Sequence, residues 1–361
     1  MTSIDKLYEI GTSTWLDDLS RDRITTGNLD EIKASKSIKG VTTNPAIFAK
    51  AMSGGNAYDI QLADLKAAGS EVDAAVYAMS VKDVQDACDL FADVFEATDG
   101  KDGRVSIEVD PRYAADEERT VAQAAELAQL VDRPNVMIKI PATDESLPAV
   151  TATLAAGISV NVTLIFSVER YRQVIDAFRE GVRQAEANGH DVSTIHSVAS
   201  FFVSRMDTEV DNRLETIGTP EVLELRGKAG IANARLAYQL FLDEFSDSSQ
   251  FPAGTNKQRP LWASTGVKNP DYPATMYVTE LAGPDTVNTM PEATLDAMLE
   301  QGEVRGDTLT GTAAEAQATF DKLEAVGIDL DDVVAVLERE GVEKFVDAWQ
   351  ELLDSMAQNL K

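Results

Sequence analysis

Short β-like segments alternate with amphipathic helical ones along this entire chain, and that rhythm restricts the fold more than any other feature. Segments 14–17, 40–43, 104–109, 136–140, 158–165, 195–200 and 261–265, with a weaker one at 287–289, read as strands bounded by turn residues. Between them the apolar residues recur at helical spacing. Val121, Ala124, Ala128 and Val131 form one stripe. Tyr171, Ile175, Phe178 and Val182 form another, with Ser167 as N-cap and Gly189 as stop. About eight strands separated by helices predict a parallel sheet closed as a (β/α)8 TIM barrel, with a doubly wound open sheet as the alternative. The 361 residues exceed a minimal barrel. The surplus is expected as extra helices after the second strand, at about 50–100, and a helical C-terminal tail at about 310–361, all within one domain spanning 1–361. The polar stretch 246–259, with Pro252 and Gly254, reads as a surface loop.

Composition narrows the functional classes. Lys plus Arg number 32 and Asp plus Glu 61, a net charge of −29. A surface so acidic repels phosphate backbones and anionic lipid, which argues against nucleic-acid and membrane roles. An anionic substrate would need the few cations concentrated in its pocket. The single cysteine, Cys88, excludes an intrachain disulfide and falls on the helical stripe Val84, Cys88, Phe91, Phe95. The N-terminal residues lack a secretion signal and no apolar run reaches membrane-spanning length, so a cytoplasmic location is expected. His190 and His196 are the only histidines and have no cysteine nearby, so no metal is expected.

One residue stands out chemically. In Val136-Met137-Ile138-Lys139-Ile140 a lysine interrupts an apolar strand and shares its face with Met137. Lysine is rarely buried unless paired, and a desolvated amine is a nucleophile toward carbonyl carbon. The ordinary alternative is a strand-end lysine whose tip reaches water. Its company favours chemistry, because polar residues gather at the C-terminal ends of successive segments. They include Asp17, Asn44, Ser106 with Glu108, Asn161 with Thr163, Ser200 with Arg205, and Ser264 with Lys268. In barrel enzymes that rim holds the active site. A carboxylate and a hydroxyl such as Glu108 and Thr163 suit a water that carries protons during imine formation. Asp17 suits proton removal from a substrate hydroxyl. Asn44 and Asn161 suit sugar hydroxyls, and Arg205 and Lys268 suit a phosphate.

The runs Gly40-Val-Thr-Thr-Asn-Pro45, Ser106-Ile-Glu-Val-Asp110, Ile138-Lys-Ile-Pro141, Asn161-Val-Thr-Leu-Ile-Phe-Ser167, Ser200-Phe-Phe-Val-Ser-Arg205 and Ala263-Ser264 closely resemble the transaldolase family, in its long bacterial form. The resemblance implies transfer of a dihydroxyacetone unit between sugar phosphates in the non-oxidative pentose phosphate pathway, without metal or cofactor, by a monomer or homodimer. It implies Lys139 as Schiff-base lysine, Asp17 as acid/base, and Glu108 with Thr163 as the pair holding the catalytic water. Asn44, Asn161 and Ser200 would meet the dihydroxyacetone hydroxyls, with Arg205 and Ser264 on the phosphate. Many relatives carry an arginine where this chain has Gly266, which leaves Lys268 as the nearest substitute. Asp18 adjoins Asp17, but Asp17 matches the motif and shares its face with Trp15. In the related fructose 6-phosphate aldolases, which release the unit instead, the positions of Glu108 and Phe202 usually hold Gln and Tyr. This chain has the transferase pattern. A non-catalytic sugar-phosphate-binding barrel is the remaining alternative.

Overall fold

The computed structural model describes residues 1–361 and contains a closed parallel barrel of eight strands in sequence order. They are β1 Thr12–Asp17, β2 Gly40–Thr42, β3 Arg104–Glu108, β4 Val136–Pro141, β5 Val160–Ile165, β6 Ser197–Phe202, β7 Arg259–Ala263 and β8 Thr286–Met290. β8 closes the ring by pairing with β1, Thr12 opposite Thr286 through Leu16 opposite Met290. The open-sheet alternative is thereby excluded. Side chains alternate as the pleat requires. Val105, Ile107, Ile138, Ile140, Val160, Val162, Phe201 and Trp262 face outward into the main apolar core beneath the helices. Trp15, Met137, Val198, Leu261 and Val287 point inward and form a second apolar cluster.

Two strands sit where pattern alone put them two residues off. β6 was expected at 195–200 and β7 at 261–265, but they run Ser197–Phe202 and Arg259–Ala263. Arg259 and Pro260 look like loop residues. Arg259 is nevertheless buried, because Asp102 at 3.2 Å pairs with it at the N-terminal end of the barrel. β7 stops at Ala263 because Ser264 turns into the left-handed region at φ +54°. The helix Glu117–Val131 buries Thr120, Ala124, Leu127 and Val131, so the expected Val121 and Ala128 sit at the edge of its face. The Cys88 stripe is split: one helix, Val72–Leu90, ends before Phe91, and Phe95 lies on the next, Ala92–Ala97. Ser167 caps its helix as expected, accepting from the Arg170 amide at 3.0 Å.

Asp102 also accepts from Ser13 Oγ at 2.8 Å and Trp15 Nε1 at 3.0 Å. It is the one carboxylate among the buried Arg104, Arg259 and His196. Burial, then Arg259's charge, pushes the Arg104 guanidinium down to about 9. Burial and the two arginines push His196 down to about 3, which leaves it a neutral structural side chain. Removing one partner from such a buried pair strands the other's charge. Asp102→Ala is expected to cost about 3–5 kcal/mol of unfolding free energy, read as a lower urea midpoint.

Four helices separate β2 from β3: Pro45–Ser53, Asp59–Ala67, Val72–Leu90 and Ala92–Ala97. The chain ends in Ala313–Ala325 and a 30-residue helix, Leu330–Asn359. That last helix is more than a tail. It touches Pro45–Ser53 beyond β2, Ser204–Ile217 beyond β6, and β5 itself, so it straddles the C-terminal mouth of the barrel. No helix is long and apolar enough to cross a membrane.

Candidate active site

Strand register alone brings the central group together. Glu108 on β3 lies opposite Lys139 on β4, and Lys139 lies opposite Asn161 on β5. Lys139 points into the barrel mouth and is only 6% exposed, which a lysine tolerates when paired. Its Nζ lies 3.1 Å from Glu108 Oε2 and donates to the Thr43 carbonyl. Thr163 Oγ1 donates to the other Glu108 oxygen at 3.3 Å. Burial raises the Glu108 carboxyl above its ordinary range, and the charge of Lys139 works against that rise.

Asp17, the last residue of β1, accepts from Thr42 Oγ1 at 2.8 Å and lines the same cavity. Desolvation raises its carboxyl too, again opposed by Lys139. Asp18 turns the other way and pairs with Arg23 at 2.7 Å, which removes it from the site. Two carboxyls raised by burial thus flank one amine.

The remaining expected residues divide into those that line the cavity and those that stand behind it. Asn44, Lys139, Thr163, Ser200, Phe202, Arg205 and Ser264 share the lining with Asp17. Asn44 caps the helix Pro45–Ser53 through its oxygen, which accepts from the Ile47 amide at 3.0 Å, so its NH2 remains available. Asn161 is completely buried below the floor. It accepts from Ser200 Oγ at 2.6 Å and donates to Ser106 Oγ at 3.3 Å. Its geometry orients Ser200, and Asn161 itself does not line the cavity.

Arg205 lies in the first turn of the helix Ser204–Ile217, with its guanidinium carbon 5.0 Å from the Phe202 ring centre. Its Nη1 is buried without a hydrogen-bond partner, and burial lowers its pKa. A buried donor left unpaired is costly and calls for an acceptor. Ser264 Oγ stands 2.8 Å from Ser204 Oγ beside it. Lys268 does not line this cavity; it faces the neighbouring cleft with Ser204, Asp207 and Tyr272. Burial and then the charges of Arg205 and Lys344 lower its pKa. Arg205→Ala is expected to raise KM for phosphorylated substrates on the order of a hundredfold, the scale of one charge-assisted hydrogen-bond pair, with a smaller change in kcat. Steady-state kinetics with phosphorylated and unphosphorylated ketoses checks this.

Phe345 and Thr289 also line the cavity, and neither was anticipated. Thr289 belongs to β8, whose pattern was the weakest. Phe345 arrives from a helix two hundred residues downstream of Lys139, and nothing in its local sequence marks it as part of a site. No three His, Cys, Asp or Glu side chains converge as metal ligands.

Fold and site together define a (β/α)8 barrel whose C-terminal mouth is a polar cavity around one buried, carboxylate-paired lysine. A family model described as Transaldolase/Fructose-6-phosphate aldolase matches residues 14–356. The Transaldolase of Mycolicibacterium paratuberculosis (strain ATCC BAA-968 / K-10) is 60% identical over 358 residues, 98% of this chain and 96% of that protein. That of Mycolicibacterium smegmatis is 61% identical over 353 residues, 97% of this chain and 95% of that protein. That of Mycobacterium tuberculosis (strain H37Rv) is 59% identical over 358 residues, with 98% and 96% covered. The chain belongs to the transaldolase/fructose-6-phosphate aldolase family.

Proposed function

We propose that this chain is a transaldolase of the non-oxidative pentose phosphate pathway, acting through a single barrel domain over residues 1–361. It takes a dihydroxyacetone unit from sedoheptulose 7-phosphate or fructose 6-phosphate and passes it to glyceraldehyde 3-phosphate or erythrose 4-phosphate. The unit is carried as a Schiff base on Lys139. The observation that carries this reading is the buried Lys139 held 3.1 Å from Glu108 in the cavity that Asp17 also lines.

The mechanism follows from that geometry. Glu108, its carboxyl raised by burial, takes the ammonium proton, and the freed Lys139 nitrogen attacks the C2 carbonyl of the ketose. Loss of water from the carbinolamine gives the iminium, with Thr163 and Glu108 holding that water. Asp17 then removes the proton of the C4 hydroxyl. The C3–C4 electron pair flows toward the iminium, the aldose phosphate departs, and an enamine stays on Lys139. Attack of the enamine on an acceptor aldehyde reverses these steps, and hydrolysis frees the new ketose. Asn44 and Ser200 bind the hydroxyls, with Asn161 orienting Ser200. Arg205 and Ser264 hold the phosphate, whose oxygens accept from the unpaired guanidinium nitrogen, and Lys268 adds positive potential from the adjoining cleft. These cations offset the repulsion expected from a protein of net charge −29.

The test is fructose 6-phosphate supplied without an acceptor. A transferase releases little dihydroxyacetone after the first turnover and resumes when erythrose 4-phosphate is added. Sustained multiple-turnover release with no acceptor would make the chain an aldolase of the same family.

A further inference from the structure

We infer that Phe345, carried across the barrel mouth by the C-terminal helix, decides whether the substrate-bound lysine passes its three-carbon unit to an acceptor or loses it to water. The inference rests on the Schiff-base reading above. Most of the cavity lining is hydroxyl, amide or charge; Phe202, Ala263 and Phe345 are the apolar exceptions. Phe345 is 8% exposed, and its ring centre lies 6.0 Å from Lys139 Nζ. Phe345 has no polar side-chain atom with which to hold a sugar. What it supplies beside the amine is the displacement of solvent.

The helix is seated so as to fix that ring. On one face, at successive intervals of four residues, come Gly341, Phe345 and Trp349. A Cβ at Gly341 would stand 3.0 Å from the Phe166 ring and 3.4 Å from Leu164, so only glycine lets the helix come this close without displacement. Leu164 reaches that contact through a register shift in β5 and a left-handed backbone at φ +58°. Such a conformation is unfavourable for leucine and persists where packing imposes it. Phe166 in turn leans on Phe202 at 5.2 Å, and Trp349 packs on Tyr77 at 5.1 Å. Three turns of the helix are thus pinned, with Phe345 in the middle one.

The chemistry at stake is a partition of the enamine. On the transfer path its carbon forms a C–C bond to the acceptor's carbonyl carbon, and the aldehyde oxygen takes a proton. On the loss path the same carbon takes a proton, regenerating an iminium. One water then adds, the C–N bond breaks, and free dihydroxyacetone leaves with the lysine restored. Bulk solvent at the enamine feeds only the loss path. On the proposed mechanism the water that completes normal turnover belongs to Glu108 and Thr163, whose side chains are hydrogen-bonded at 3.3 Å.

The experiment measures the ratio of dihydroxyacetone released to ketose phosphate formed, with fructose 6-phosphate and erythrose 4-phosphate at fixed concentrations. Phe345→Ala is expected to raise that ratio on the order of tenfold by opening the mouth to solvent. Phe345→Leu, a smaller loss of volume, is expected to raise it less, and it supplies the readout if the alanine variant does not fold. A role confined to seating the helix would lower both fluxes together and leave the ratio unmoved. A folded variant that is trapped at Lys139 by borohydride yet keeps the wild-type ratio overturns the inference. Wild-type protein that gives no adduct at Lys139 overturns the Schiff-base reading instead.

Discussion

Lys139→Met is expected to abolish transfer, lowering kcat by roughly five orders of magnitude or more, the scale on which loss of a covalent nucleophile is felt. The fold should survive. Methionine approximates the length and volume of the lysine side chain, and Met137 already occupies the same face of β4. The change removes the cation whose charge opposes the burial-driven rise of the Glu108 carboxyl, so that carboxyl is raised further. The variant is therefore expected to unfold cooperatively, with a modest shift in midpoint, while fructose 6-phosphate is no longer consumed. Near-normal turnover in Lys139→Met would remove the nucleophile from the account.

Asp17→Asn separates two steps that Lys139→Met stops together. The asparagine oxygen can still accept from Thr42, so the local structure holds. On the proposed mechanism the base that takes the C4 hydroxyl proton disappears, and kcat is expected to fall by about 10³–10⁴, the upper range for general-base catalysis. In the proposed mechanism imine formation uses Glu108 and Thr163 and not Asp17, so borohydride should still trap substrate on Lys139 in this variant. The pH profile carries the same signature. In the proposed step Asp17 acts as its anion, so activity is expected above its pKa and lost as pH falls through it. Desolvation raises that pKa, with Lys139 opposing. The acid limb of kcat/KM should therefore lie above the ordinary aspartate value of about 3.9. Because Glu108 is raised as well and both carboxyls feel Lys139, the limb belongs to the coupled group. An acid limb at the ordinary carboxylate position would contradict the enclosure of Asp17.

Much of this site was legible in the sequence because it depends on local rules. A strand places alternate residues on opposite faces, so Ser106 with Glu108, Met137 with Lys139 and Asn161 with Thr163 had to point the same way as their partners. A closed parallel barrel then sends one of those faces inward and gathers the strand ends at one rim. What escaped was whatever depended on distant parts of the chain. Arg259 looked like a loop residue because nothing near it announces Asp102, more than 150 positions away. The placement of Asn161 beneath Ser200 depends on β6, which its own strand does not announce. The turn after Ser264 carries Lys268 to the next cleft, which no local pattern announces. Phe345 gave no signal, since its position follows from where Gly341 allows the last helix to rest.

The central claim is the covalent role of a buried amine, and reductive trapping tests it most directly. Borohydride added with fructose 6-phosphate, followed by proteolysis and mass spectrometry, should yield one modified peptide, bearing the reduced three-carbon adduct on Lys139. No adduct, or an adduct at any other lysine, would contradict the account.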